Sequence, residues 1–119
     1  MNLILSLNPV KLPRINEKFY KNFSLRPEYR DRKELITREI KQQSEELPKI
    51  FPPYSVLVNV GTHLDIDSWN KPLWDAMQDA KVIDNDKNIL HVEIFKTVVK
   101  KNEPNWIEIY LENYNEQRN

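Results

Sequence analysis

The chain has 119 residues and no cysteine, and its 18 lysines and arginines balance 18 aspartates and glutamates. That length suits a single domain, residues 1–119, with a modest core. The absence of cysteine excludes disulfides and thiolate metal sites and suits a reducing, cytoplasmic setting. The longest apolar runs, LILSL and SVLVNV, are too short to span a bilayer, and no signal-peptide pattern is present. No membrane partner is expected.

NLILSL over 2–7 predicts a strand that Asn8-Pro9 stops. Residues 9–27 carry three prolines and read as a long loop; loops of this length inside a domain are often functional. The loop holds Lys11, Arg14, Lys18, Lys21 and Arg26 against Glu17. Pro27 suits a helix start, and Leu35, Ile36, Ile40 and Leu47 form an apolar stripe over 28–47. PKIFPP then breaks the helix. In YSVLVNV (54–60), Tyr54, Val56, Val58 and Val60 share one face of a strand. A second helix is expected over about 68–80, with Leu73, Trp74, Ala76 and Met77. Residues 89–99 read as a strand in which Leu90, Val92, Ile94 and Val98 alternate with His91, Glu93 and Thr97. KKNEPN is a turn, and WIEIYLE (106–112) a strand with Ile107, Ile109 and Leu111 inward. The short turn predicts an antiparallel final hairpin. The fold class expected is α/β, more narrowly α+β: a small mixed sheet of about four strands with two main helices packed on it, in the order β-loop-α-β-α-β-β. Gly61 is the only glycine against eight prolines, which excludes a glycine-rich phosphate loop.

Charge is unevenly distributed. Beside the basic loop, residues 63–86 hold six aspartates (65, 67, 75, 79, 84 and 86) against Lys71 and Lys81. Opposed patches suit a phosphate-binding surface beside a cation-binding one, and equally two solvated loops. Asp65 and Asp67 are two apart, so in extended backbone both carboxylates face one side. They can then share a hard cation such as Mg²⁺. Asp67 also suits a helix N-cap. Asp67, Lys71 and Asp75 are spaced i, i+4, i+8, so Lys71 either forms ordinary surface ion pairs of about 0.3–0.5 kcal/mol each or faces a phosphate at the metal site. Asp84-x-Asp86-x-Asn88 mimics the opening of an EF-hand loop, but Ile89 stands where glycine is required and Phe95 where glutamate is required. A polar turn is the simpler reading. If its following strand lies beside 54–60, Asp86 returns toward Asp65 and Asp67.

LDIDSWNKPLWDAMQDAKVIDNDKNI, residues 64–89, resembles the signature of the RusA family of Holliday-junction resolvases. That signature is roughly D-x-D-N-x-x-K-x-x-x-D-A-L followed by G-x-x-x-D-D-x-Q-V/I, and its spacing is intact here. The resemblance implies a homodimeric, Mg²⁺-dependent endodeoxyribonuclease, with Mn²⁺ as a substitute, that nicks four-way DNA junctions symmetrically in recombination and repair. It places the metal on Asp65, Asp67 and Asp86, with Lys71 as the catalytic lysine, in a bacterial or phage-infected cell. Ser68 stands where the family has Asn, Asn85 replaces the first Asp of the pair, Asn88 replaces Gln, and Lys81 replaces Gly. Candidate DNA contacts are Lys11, Arg14, Lys18, Lys21, Arg26, Lys100 and Lys101. Phe19, Tyr20 and Phe23 suit either base stacking or anchoring of the loop. Trp69 and Trp74 suit packing or a dimer interface, and His63 and His91 read as bystanders. Two alternatives stand beside a resolvase: a junction-binding protein impaired by Ser68 and Asn85, and an interaction domain whose aspartates only cap helices and turns.

Overall fold

Alternating apolar residues bury one face of a sheet, and helical stripes cover it. The computed structural model, which describes residues 2–14 and 27–117, has this two-layer form. Its elements are β1 (Asn2–Val10), α1 (Pro27–Ser44), β2 (Tyr54–Gly61), α2 (Ile66–Asp79), a 3₁₀ turn (Asp86–Asn88), β3 (Ile89–Thr97), β4 (Asn105–Asn113) and the short α3 (Tyr114–Gln117). The four strands form one mixed sheet in the order β1-β4-β2-β3. β4 is antiparallel to both β1 and β2, and β3 is parallel to β2. The fold class expected from sequence is thus the one observed. Lys18, Lys21, Arg26, Phe19, Tyr20 and Phe23 lie outside the described residues.

The core follows the predicted alternation. Leu3, Leu5 and Leu7 meet Ile107, Ile109 and Leu111 across β1–β4, and Val56, Val58 and Val60 continue the same buried face. Trp69, Leu73, Ala76 and Met77 of α2 and Ile36 and Ile40 of α1 close over it. Lys33 Nζ lies 3.0 Å from Asp79 Oδ2, tying the two helices together.

Four local readings change. β1 does not stop at Asn8-Pro9 but runs to Val10, with a register shift after Leu7. β1 is an edge strand, where the missing proline N–H costs no ladder bond. α1 ends at Ser44, three residues early. It buries Tyr29, Ile36 and Ile40 and leaves Leu35 and Leu47 exposed. Leu35 is one position off the stripe, about 100° around the helix, and Leu47 lies beyond its end. The last two strands form no hairpin, because β2 lies beside β4 and separates it from β3. The 98–104 connection must therefore step over a strand, about 10 Å sideways. β3 ends at Thr97, and only Ile94 of its expected inward set packs on the core.

α2 ends in a Schellman motif: Lys81 N–H donates to the Gln78 carbonyl at 3.0 Å and Val82 N–H to that of Met77 at 3.1 Å. This geometry puts Lys81 at φ 63, the left-handed region that glycine occupies without strain. Glycine stands at this position in the signature that the sequence resembles, where this chain has Lys81. Lys81→Gly is expected to stabilise the fold by about 0.5–1 kcal/mol, read as an upward shift of the urea midpoint at constant slope.

Candidate functional site

The acidic segment begins where β2 ends. Thr62 is fully buried; its N–H donates to the Thr97 carbonyl at 3.0 Å, and its hydroxyl accepts from Leu64 N–H at 3.1 Å. This turn delivers the chain to Asp65, whose extended backbone (φ −67, ψ 142) is the N-cap of α2. The helix thus starts two residues before the expected Ser68, and Asp67 lies in its first turn rather than at the cap. The Asp65 carbonyl accepts both Ser68 N–H (3.0 Å) and the Ser68 hydroxyl (2.6 Å), which pins the start. Pro72 sits inside the helix and is buried.

The Asp65 side chain makes no capping bond. Both Asp65 and Asp67 are exposed, and among the described residues neither carboxylate has a hydrogen-bond or ion-pair partner. Two acids at a helix N-terminus are favoured by its dipole. They are also unencumbered oxygen donors, the kind that hard cations take.

About one turn beyond Asp67, Lys71 does have partners. Its ammonium pairs with Asp86 Oδ2 and lies 3.4 Å from Asp75 Oδ1. The hydrogen bond to Asp86 is the main reason its pKa is raised above 10.5. The i,i+4 pair with Asp75 was legible from spacing; the link to Asp86, 15 residues away, was not.

Asp86 is held from several sides. Its N–H donates to Gln78 Oε1 at 3.1 Å. Asn85, where the family pattern has Asp, caps the 3₁₀ turn by accepting Lys87 N–H at 3.0 Å. Asn88 Nδ2 donates to Asp84 Oδ1 at 2.9 Å, and Asp84 N–H donates to the Tyr54 hydroxyl at 3.1 Å. The turn is thus tied to α2 through Gln78 and to β2 through Tyr54. Sequence reasoning missed both, although Gln78 lies i+7 from Lys71 and so on the same helix face. The Asp84-x-Asp86-x-Asn88 run is a polar turn and not an EF-hand opening.

The Asn88 bond is the main cause holding the Asp84 carboxyl below its ordinary 3.8. A depressed carboxylate pKa contributes stability above the unfolded value and loses it as pH falls through the folded value. Asn88→Ala is expected to move the Asp84 titration up toward 3.8, read by carboxyl-carbon NMR. It should destabilise at neutral pH, with the difference vanishing in strong acid.

The three aspartates of the implied metal set are not gathered into one group. β3 does lie beside β2, but parallel to it. Asp86 therefore precedes the sheet end where β2 begins, while Asp65 and Asp67 follow the end where β2 stops. Asp67 and Asp75, which flank Lys71, are about 12 Å apart along the helix axis. Asp86 meets the lysine on the Asp75 side. Among the described residues, no three His, Cys, Asp or Glu side chains stand together as a metal-holding group. The donor chemistry of Asp65 and Asp67 fits Mg²⁺, which often uses one or two carboxylates and keeps its waters. Asp86 is neutralised by Lys71.

Of the candidate DNA contacts that are described, Lys11 is exposed and Arg14 half-buried. Lys100 and Lys101 lie exposed in the turn after β3, where Lys100 N–H donates to Glu103 Oε1 at 3.2 Å. His91 Nε2 lies 2.8 Å from Glu93 Oε1, and its ring stacks on Tyr114. Trp69 and Trp74 are buried in the core. A groove of about 760 Å³ between α1 and the 79–84 turn is lined by Leu47, Phe51 and Ile83 with Lys49 and Lys81 and touches none of the four signature residues. Among the described residues, no helix is long and apolar enough to cross a membrane. No family model matches the chain, and neither does any curated protein.

Proposed function

We propose that this chain is a RusA-like, Mg²⁺-dependent endodeoxyribonuclease that acts as a homodimer on four-way DNA junctions, nicking two strands symmetrically in a bacterial or phage-infected cytoplasm. The observation that carries the reading is the contact between Lys71 and Asp86. These are two of the four residues the signature marks, they come from separate elements, and the 3₁₀ turn, tied to α2 by Gln78, holds them together. The left-handed backbone at Lys81, where the signature has glycine, supports it independently.

Mg²⁺, or Mn²⁺ in its place, would take its protein oxygen donors from Asp65 and Asp67, and would supply positive charge against a scissile phosphate and acidify water; Asp86, the third aspartate the signature marks, is engaged by Lys71. The chain's own contributions are separate. Asp65 and Asp67 present two unpartnered carboxylates at the N-terminal end of α2, although the helical start replaces the extended backbone that would turn both to one side. Lys71 is protonated at neutral pH as any lysine is, Asp86 favours its charged form further, and an ammonium there offsets negative charge building on phosphoryl oxygens. Gln78 fixes the height of Asp86 on the helix.

A labelled synthetic four-way junction, incubated with and without Mg²⁺, tests the proposal. Paired, metal-dependent nicks support it. The engagement of Asp86 by Lys71 favours a second reading, a junction-binding protein that does not cut, and tight binding without nicks at any Mg²⁺ or Mn²⁺ concentration would establish that instead. Neither binding nor nicking would leave an interaction domain.

A further inference from the structure

The sheet has two edges, and they are finished differently. At β1, Gln43 of α1 lays its amide on Ser6: the Ser6 N–H donates to Oε1 at 2.9 Å, and Nε2 donates to the Ser6 carbonyl at 2.6 Å. This is the pairing another strand would offer. Pro9 and the register shift after Leu7 interrupt the same edge further. β3 has no such protection. It is nine residues long and has no proline. Leu90, Val92 and Phe95 along it, and Val98 just beyond, are 60, 44, 56 and 76% exposed. These four are half of the large exposed hydrophobics among the described residues.

We propose that the free edge of β3 is where two copies of this chain join, by antiparallel pairing of β3 with its own copy about a two-fold axis at Phe95. The backbone fixes the register. Thr62 N–H donates to the Thr97 carbonyl, and Val99 N–H donates to the Thr62 carbonyl, so residues 97 and 99 turn their backbone groups toward β2. By strand alternation Val92, Ile94, Lys96 and Val98 turn theirs outward. Pairing Val92 with Val98 of the second copy, and Ile94 with its Lys96, sets every outward N–H and C=O against another. Phe95 then faces its own copy in a non-hydrogen-bonded position, where side chains approach most closely. A register centred on Glu93 opposes two carboxylates, and one centred on Ile94 opposes Phe95 to Glu93. Only the Phe95 register matches apolar with apolar at both Val92–Val98 and Phe95–Phe95. A formal net charge of zero adds no repulsion between copies. The inference deepens the homodimer of the proposed function by placing its interface; its readout is association and not nicking, so its failure and that of the nuclease reading are told apart.

Sedimentation velocity over a concentration series tests it. The unaltered protein is expected to be a dimer. Phe95→Lys and Phe95→Glu, each placing like charges across the axis, are expected to weaken association at least about tenfold. Mixing the two variants is expected to restore a dimer containing one of each. Lys96→Pro deletes an outward N–H, leaves the ladder to β2 intact, and is expected to weaken association with circular dichroism unchanged. A protein that stays monomeric at all concentrations overturns the proposal. So does a dimer untouched by these changes, or one dissociated instead by Ile4→Lys on the opposite edge strand. Failure of the mixed variants to associate overturns the Phe95-centred register.

Discussion

Asp67→Asn is expected to reduce Mg²⁺-dependent nicking of a four-way junction by at least about a hundredfold, the scale on which losing one electrostatic contributor acts in an active site. The side chain keeps its size, so only charge and the capacity to hold a cation change. Among the described residues Asp67 has no partner to lose. The structural cost is then limited to the helix-dipole contribution, about 0.3–1 kcal/mol. Activity should collapse while the melting curve barely moves, and that separation is what a purely capping aspartate cannot give. A gel assay of junction nicking and a thermal melt of the same preparation measure both. Full nicking by the variant would remove Asp67 from the site.

The second large effect is on stability. Trp69 is the largest fully buried side chain, and its indole Nε1 has no hydrogen-bond partner among the described residues. Trp69→Ala is expected to cost about 3–5 kcal/mol, the range for deleting a buried aromatic. For a domain of this size, that is a large share of the total. Trp69→Phe is expected to cost far less. It loses area but also removes a buried, unpaired donor, whose burial costs about 1–3 kcal/mol. Urea unfolding of the two variants measures the contrast. Equal costs would mean the indole nitrogen is satisfied after all.

The core strands were legible because a half-buried strand encodes its faces in alternation. Tyr54 to Val60 and Ile107 to Leu111 carry that code without interruption, and both sets are buried. β3 carries the same code, yet Leu90 and Val92 are exposed, because alternation states which face a residue points to and not whether anything covers it. A register shift opposite Tyr54 and Ser55 also displaces Leu90 from the pattern. The final hairpin failed for a related reason. A short connection limits how far the chain travels, but seven residues suffice to pass one strand, and β4 finds more apolar partners between β1 and β2.

At the site, local spacing gave the Lys71–Asp75 pair but could not give Lys71–Asp86. That contact depends on how the 80–88 segment returns along α2, which Gln78, Tyr54 and the left-handed Lys81 decide together. The proximity of Asp86 to Asp65 and Asp67 was inferred from strand adjacency. Adjacency holds, but β3 runs parallel to β2, so the pairing by itself does not carry Asp86 to the end where Asp65 and Asp67 follow β2; its contact is with Lys71 of α2.

The central place of β4 carries a consequence for how the chain is made. Leu3, Leu5 and Leu7 find their partners only at Leu111, Ile109 and Ile107, about a hundred residues downstream. During synthesis the first strand therefore waits, apolar and without a neighbour, until nearly the whole polypeptide has left the ribosome. Such distant pairing is slow to close and leaves sticky segments open to aggregation meanwhile. A nascent chain stalled before residue 105 would hold β1 apart from the β2–β3 pair, with only the helices to bridge them.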